Sequence, residues 1–535
     1  MDQQKAKMVA QIIAIMRAQK WILAVARIEE ALKMYPADYG FLEFMGVANL
    51  NQKNPKDAAR FFKKALKQAP KNAIAYRNLA NAEALMGEPS KAQANLWKAL
   101  KLNPKLPDAW MMLGRIHAQK GQDEKATDCY RKAAQLQPDS AVIAVKLLTS
   151  LNQQNKLDEL ESRVGIIAKL APDHPVVKLF KGIIYYRKKD ISAAKDILEA
   201  FDFKSKNMVQ FRELELLRNR YLGLACDELH LETDAIEYFT RVKALNRSFH
   251  QNPAPPAYFW KMCAMREAYF KSEAPKSWVY KSSHKDEPVF MVGFPRSGTT
   301  LLDTFLRGHR DLALLEEKPA TSNLRVMLGT SADHDISALD SLDKKALSAV
   351  RKTYFDELRS YKPKGLVIDK LPMNIVFAGE ILRVFPRAKF IFVMRDPADA
   401  VLSSFMQSFK LNPSMAALDS LKDAAQTYAL SMQTWKSTVQ ALDPAIVTSR
   451  YEDLISDPEK TLRPIVSFLG VEWDDAVLDH QITAKSRARI HTPSHAQVVK
   501  PLYQSSVARW ERYAAHMPEA LEILAPWREE YGYSD

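Results

Sequence analysis

The chain is poor in cysteine. Its 535 residues include three, Cys129, Cys226 and Cys263, which lie far apart and form no CxxC pair. Disulfide frameworks and cysteine-based metal sites need closely spaced cysteines, so the sequence predicts neither. Isolated thiols of this kind are typical of a protein from a reducing compartment.

Long apolar runs are also missing. No stretch approaches the roughly 18 uncharged apolar residues that a membrane-spanning helix requires. The apolar residues of the first 32 positions are interrupted by Lys, Arg and Gln at helical spacing, which indicates a helix and not a signal peptide. We therefore expect no transmembrane segment and a cytoplasmic location.

The composition is that of a folded, basic protein. Hydrophobic residues make up 47% and charged residues 26% of the chain, and its length predicts two or more domains. The net charge is +14. Such an excess favours a polyanionic partner, which could be nucleic acid, an acidic membrane or a nucleotide with several phosphates; an ordinary solvated surface is the alternative.

The N-terminal half repeats with a period of 34 residues. Prolines recur with this step at Pro36, Pro70, Pro104, Pro138 and Pro172. Alanines recur with it at Ala24, Ala58, Ala92 and Ala126, and again at Ala31, Ala65, Ala99 and Ala133. This period is typical of stacked helix pairs, in which small residues permit close packing and the proline ends the second helix.

The pattern resembles that of tetratricopeptide repeats over about residues 5–208. A further unit is expected near residues 216–249, where Gly223 and Ala235 keep the internal spacing. The resemblance implies an all-α solenoid whose surface binds a peptide or a partner protein. A scaffold that only positions a second domain is the alternative.

The composition changes after residue 249. The stretch His250–Ala257 reads HQNPAPPA, which is typical of a linker. We predict a repeat solenoid over residues 1–250, a linker with a connecting helix over residues 251–284, and a second domain over residues 285–535.

The second domain opens with an apolar run and a phosphate-binding loop. Residues 289–294 read VFMVGF, which predicts a buried parallel strand, and PRSGTT follows before a helical stretch. This order directs backbone N–H groups and the helix dipole at an anion. Thr299 stands where a Walker A loop has its lysine, which argues against an ordinary Mg-dependent ATPase or kinase. A plain strand-to-helix turn is the alternative.

A second strand and helix follow the same pattern. Residues 389–394 read KFIFVM, and Arg395, Asp396 and Pro397 lead into a helix that carries Ser403. An arginine at the end of a buried strand is costly unless it faces an anion or a carboxylate. RYEDL at residues 450–454 and a basic stretch over residues 485–510 could fold over a nucleotide; a generic basic surface is the alternative.

Taken together, PRSGTT, FVMRDPADAVLSSF, RYEDL and KP followed by a tryptophan resemble the sulfotransferase family over about residues 285–530. The layout is similar to that of protein-tyrosine sulfotransferases. The resemblance implies an α/β P-loop-like domain with a parallel sheet, which binds the sulfate donor PAPS (3'-phosphoadenosine 5'-phosphosulfate) without a metal. It implies sulfation of an acceptor hydroxyl, with a protein or peptide tyrosine favoured and no nucleic-acid partner. A carbohydrate, lipid or small-molecule acceptor, or a repeat adaptor with a nucleotide-binding relic domain, are the alternatives.

The resemblance also assigns residues to the donor. The 5'-phosphosulfate would be held by Arg296, Ser297, Gly298, Thr299 and Thr300, and the 3'-phosphate by Arg395 and Ser403. Tyr451 would contact the nucleotide. Lys500 and Arg509 belong to a tail segment that would close over it.

The remaining assignments concern the transfer step. Glu317, the second glutamate of ALLEEKPA, would be the base that takes the proton from the acceptor hydroxyl, with Glu316 as the alternative. Lys370 and Ser494 would stabilise the transferring group. Arg296 would act with Lys370 on the negative charge that builds at the bridging oxygen.

Overall fold

The computed structural model describes residues 3–170, 172–200, 212–250, 252–278, 287–331, 335–486 and 507–533. The chain divides into two compact units, Met1–Ile197 and Leu198–Asp535. In the described residues, no helix has both the length and the apolar content that crossing a membrane requires.

The first unit consists of helical hairpins. Its helices are α1 (Gln3–Arg17), α2 (Trp21–Met34), α3 (Tyr39–Asn51), α4 (Pro55–Gln68), α5 (Ala73–Leu85), α6 (Pro89–Leu102), α7 (Pro107–Gln119), α8 (Asp123–Leu136), α9 (Ala141–Gln153), α10 (Leu157–Leu170), α11 (Pro175–Arg187) and α12 (Ile191–Glu199), which crosses the division. Each proline of the 34-residue period lies two residues after the end of an even-numbered helix. The proline thus ends each hairpin, as the sequence predicts.

Glycine and aromatic residues set the spacing within these hairpins. A glycine faces a ring that lies 16 residues later in three cases, Gly46 with Phe62, Gly114 with Tyr130, and Gly223 with Phe239. A Cβ at Gly223 would lie 2.9 Å from the Phe239 ring, so the two helices can approach this closely because the glycine has no side chain. The third pair joins α13 (Arg212–Glu228) to α14 (Glu232–Ser248), which supports the further repeat unit expected near residues 216–249.

Although α13 and α14 repeat the hairpin packing, they belong to the second unit. On α14, Asn246 donates to the Phe409 carbonyl over 2.9 Å, and Arg247 Nη1 lies 2.5 Å from Asp419 Oδ2. These contacts explain why the division falls at residue 197, before the boundary drawn at residue 250. The boundary at residue 250 marks the end of the repeat pattern and stays a prediction.

The second unit continues as an α/β domain. Its strands are β1 (Val289–Gly293), β2 (Leu312–Glu316), β3 (Leu366–Lys370), β4 (Lys389–Met394) and β5 (Ala445–Arg450). Its further helices are α15 (Pro256–Lys271), α16 (Thr299–Leu306), α17 (Ala320–Met327), α18 (Lys344–Ser360), α19 (Ala378–Val384), α20 (Pro397–Phe405), α21 (Pro413–Ala416), α22 (Leu421–Leu442), α23 (Tyr451–Ser456), α24 (Pro458–Leu469), α25 (His480–Ser486) and α26 (Pro518–Glu530). Short 3₁₀ helices lie at Ala274–Ser277, Ile336–Ser341, Pro372–Phe377, Asp475–Leu478 and Arg509–His516.

The strands form one parallel sheet in the order β2-β3-β1-β4-β5. Both faces are buried, because alternate residues of β1 enter different hydrophobic cores. Phe290 and Val292 lie in one core, and Val289 and Met291 lie in the other. The strand order reverses at β1, and in such sheets ligands bind beyond the carboxyl ends of the strands at this point. The all-α repeats and the α/β domain with a parallel sheet confirm the predicted fold class.

Candidate active site

The loop after β1 has the backbone of an anion-binding turn. Gly298 has φ of 101°, and a Cβ there would lie 2.6 Å from the Tyr451 ring. Both the backbone conformation and the lack of space for a side chain therefore require glycine at this position. Helix α16 starts directly after it, with Thr299 and Thr300 buried in its first turn and Ser297 1% exposed just before. Hydroxyls and N–H groups at a helix N-terminus are suited to a phosphate or sulfate.

Arg296 and Ser403 join this loop to the helix after β4. Arg296 donates from Nε to Ser403 Oγ over 3.1 Å, and Arg395 Nη1 donates to the Arg296 carbonyl over 3.3 Å. The two strand-end motifs therefore meet at one place. The residues that the sequence assigns to opposite ends of the donor lie within hydrogen-bonding distance of each other.

Arg395 is 6% exposed and is enclosed by a ring and a carboxylate. Its guanidinium lies 4.8 Å from the centre of the Tyr451 ring, and Nη2 lies 3.4 Å from Asp399 Oδ2. Burial raises the pKa of the Asp399 carboxyl, although Arg395 acts in the opposite direction. Stacking and pairing together fix the guanidinium plane, which is the geometry needed for a two-pronged contact with a phosphate.

Glu317 lies just beyond β2, with φ of 50°. This left-handed conformation costs about 1–2 kcal/mol for a residue other than glycine, and its N–H donates to the Lys370 carbonyl over 2.8 Å. The side chain is exposed at the edge of the sheet. Protein atoms nevertheless desolvate the carboxyl and raise its pKa; Lys370 opposes this, and Glu316 and Asp303 add to it. Strained backbone with a raised pKa is characteristic of functional sites.

Glu316 and Lys370 form a buried ion pair at facing positions of β2 and β3. Lys370 Nζ lies 2.8 Å from Glu316 Oε1 and 3.6 Å from Asp303 Oδ2. Asp303, on α16, was not among the residues singled out from the sequence, although a carboxylate within the apolar stretch LLDTFL was a signal for it. Because Glu316 already binds Lys370, Glu317 is the better placed of the two glutamates to accept a proton.

Arg509 lies beside the C-terminal end of α20, where its Nη2 is 2.9 Å from Sδ of Met406, the residue that follows the helix. Its guanidinium is also paired with Asp227, a residue that the sequence did not single out. Ser494 and Lys500 lie outside the described residues. Within the described part of the chain, no group of three or more His, Cys, Asp or Glu side chains could hold a metal ion.

Residues 288–475 match the sulfotransferase family. Residues 10–73, 74–116 and 107–140 match tetratricopeptide repeats. The chain thus carries tetratricopeptide repeats and a sulfotransferase-family domain. The part that matches the sulfotransferase family contains the loop after β1, the Glu316–Lys370 pair and Arg395.

Two relatives show how far this similarity extends. An uncharacterized protein of Aquifex aeolicus is 28% identical over 44% of this chain and 32% of its own length. Protein-tyrosine sulfotransferase 1 of Danio rerio is 26% identical over 47% of this chain and 73% of its own length. The chain therefore spans about a third of the first relative and nearly three quarters of the second.

A solved structure of Pseudomonas aeruginosa pilF is 15% identical, with a TM-score of 0.35, over 40% of this chain and 97% of that one.

Proposed function

We propose that the sulfotransferase-family domain transfers a sulfuryl group from PAPS to an acceptor hydroxyl. The observation that carries the proposal is the junction of Arg296, Ser403 and Arg395 at the carboxyl ends of β1 and β4. Two guanidinium groups in one place, beside the N-terminus of α16, are suited to a ligand with anionic groups at both ends. PAPS is such a ligand.

The residues present fit this donor. The turn at Gly298 and the hydroxyls of Ser297, Thr299 and Thr300 would hold the 5'-phosphosulfate, and Arg395 with Ser403 the 3'-phosphate. When bound, PAPS supplies a sulfuryl group whose bond to the 5'-phosphate oxygen breaks as an acceptor oxygen attacks the sulfur. Tyr451, whose ring lies against both Gly298 and Arg395, would fix the nucleotide between the two loops.

Two groups of opposite charge would carry the transfer. Glu317 takes the proton from the acceptor hydroxyl, because its carboxyl lies at the exposed end of β2 and has a raised pKa. Lys370 and Arg296 stabilise the negative charge that develops on the departing phosphate oxygen. Glu316 holds Lys370 in place, since a buried ammonium group needs a carboxylate beside it.

We propose a protein or peptide tyrosine as the acceptor. The support is the similarity to a relative named protein-tyrosine sulfotransferase, together with repeats that could present a polypeptide. A carbohydrate, lipid or small-molecule hydroxyl is the second candidate. All three cysteines are buried, and thiols stay reduced in the cytoplasm, so we propose the cytoplasm as the location.

We further propose that the repeats bind an acidic protein partner. Residues 1–197 contain 33 Lys and Arg against 19 Asp and Glu, whereas residues 198–535 contain 44 of each. The net charge of +14 therefore belongs to the repeat unit, and the donor site does not account for it. On α4, Lys56, Arg60, Lys63 and Lys67 are exposed at helical spacing and form one basic stripe.

Calorimetry with PAP, the desulfated donor, is the first test. We expect binding that Arg395→Ala weakens strongly; absence of PAP binding would remove the enzymatic proposal. Labelled PAPS should then be incubated with a tyrosine peptide library and with glycan and lipid acceptors. Label on glycans or lipids alone would reject the tyrosine acceptor, and PAP binding without transfer to any acceptor would favour the adaptor with a relic domain.

A further inference from the structure

A single carboxylate on α13 holds the 3₁₀ helix Arg509–His516. Asp227 Oδ1 accepts hydrogen bonds from Arg509 Nε (3.1 Å), Arg512 Nη2 (2.9 Å) and Tyr513 Oη (2.8 Å). Asp227 Oδ2 lies 2.5 Å from Arg509 Nη2, and the aspartate side chain is 12% exposed. Three donors on Oδ1 and one on Oδ2 hold the carboxylate, so Asp227 is a fixed anchor and not a loose surface pair.

The pair with Arg509 is two-pronged. It uses the Nε and Nη2 side of the guanidinium and leaves the hydrogens of Nη1 outside the pair. Burial disfavours the charged form of Arg509, but Asp227 and Tyr513 together outweigh this effect and the pKa of the guanidinium is raised. Arg509 is therefore a permanent cation with a fixed plane.

The anchored segment lies against the helix that carries Ser403. Arg509 Nη2 contacts Met406, which follows Ser403 by about one helical turn. The next residue, Trp510, donates its backbone N–H to Asp399 Oδ1 over 2.9 Å, and Asp399 Oδ2 lies 3.4 Å from Arg395 Nη2. One chain of contacts thus connects Asp227 to the arginine at the end of β4.

We propose that Asp227 is a positioning residue of the donor site, which orients Arg509 towards the phosphates of the bound nucleotide. This rests on the proposed function. The nucleotide site then includes α13, although this helix lies outside the part of the chain that matches the sulfotransferase family. The hairpin α13–α14 would then serve catalysis as well as continue the repeat pattern.

Positioning and simple charge make opposite predictions for Asp227→Asn. Removal of a negative charge near an anion site strengthens anion binding if only the field matters. If Asp227 orients Arg509, its loss frees the guanidinium, and PAP binding weakens by about tenfold, the value of one charge-assisted contact. The sign of the change therefore separates the two explanations.

The test is PAP calorimetry on the full chain. We compare the native protein with Asp227→Asn, Arg509→Ala and the double variant, and use Glu232→Gln as the matched control. Glu232 is also on this hairpin but contacts Arg512, at 3.3 Å, and not Arg509. We expect Asp227→Asn to weaken PAP binding about tenfold, to add nothing in the Arg509→Ala background, and to raise KM for PAPS more than it lowers kcat. Glu232→Gln should bind PAP like the native protein.

Asp227→Glu keeps the charge and displaces the carboxylate by one methylene, so it tests positioning even if Asp227→Asn does not fold. PAP binding by Asp227→Glu equal to that of the native protein, tighter binding by Asp227→Asn, or an undiminished loss in the Arg509→Ala background would each overturn the inference. Failure of the native protein to bind PAP would instead remove the proposed function.

Discussion

Arg296 Nε donates to Ser403 Oγ over 3.1 Å, a bond that joins residues 107 positions apart in the chain. It connects the loop after β1 with the helix after β4, and the Arg296 carbonyl in turn accepts from Arg395. Arg296 has φ of 69°, a strained backbone conformation that only surrounding contacts can maintain. This conformation fixes the directions of its side chain and carbonyl. Contacts between protein groups thus hold the loop after β1 against the helix after β4.

Arg395→Lys should weaken PAP binding by at least about tenfold although the charge is kept. Lysine cannot reproduce the planar fork that Asp399 and the Tyr451 ring hold in place. Calorimetry with PAP measures the loss. The melting temperature should fall less than in Arg395→Ala, because the ammonium group still pairs with the buried Asp399. Native affinity in Arg395→Lys would mean that the fork is not used.

Glu317→Gln should abolish sulfuryl transfer and leave PAP binding and the melting temperature unchanged. The carboxylate acts as a base when ionised, and desolvation raises its pKa, so the rate should rise with pH over a range above that of an ordinary glutamate. A pH profile of kcat measures this. Glu316→Gln is the comparison: it leaves Lys370 without its nearest buried partner and should lower stability by about 3–5 kcal/mol. Turnover by Glu317→Gln would assign the base elsewhere.

The repeats and the strands β1 and β4 were predictable because local pattern determines them. The prolines of the 34-residue period end hairpins as expected, and the apolar run VFMVGF forms β1. Parallel strands bring their carboxyl ends to one edge of a sheet, which is why Arg296 and Arg395 could be placed together from their positions after two apolar runs.

The partners of these residues were not predictable. Asp227 precedes Arg509 by 282 residues and belongs to a helix that reads as a repeat, so no spacing relates them. Asp399 reads as an ordinary acidic residue in the first turn of α20, and its contact with Arg395 depends on side-chain packing. The compact division at residue 197 has the same origin, since contacts such as Arg247 with Asp419 are invisible in a local pattern.

Gly114→Ala should destabilise the repeats by about 1–3 kcal/mol, the usual effect of overpacking. A Cβ would lie 2.5 Å from the Tyr130 ring and 3.1 Å from the Ala126 carbonyl, so ring and backbone must both shift. Gly165→Ala is the control. That glycine lies exposed within α10 with nothing within 4 Å of the added Cβ, and alanine should stabilise the helix by about 0.5–1 kcal/mol. Thermal melting followed by helical circular dichroism distinguishes them; equal shifts would contradict the packing explanation.

Asp369→Asn should remove a pH-dependent contribution to stability. Asp369 is a buried residue of β3. Tyr354 Oη donates to its carboxylate over 2.9 Å, and burial raises the pKa of the carboxyl to about 6. Between its ordinary pKa and 6, the folded state holds a proton that the unfolded state has lost. Stability therefore falls as pH rises through this interval, by roughly 3 kcal/mol at most. Urea unfolding at pH 5 and pH 7 should show the native protein losing stability relative to Asp369→Asn at the higher pH. Parallel pH dependence in the two proteins would show that Asp369 ionises as an ordinary carboxylate does.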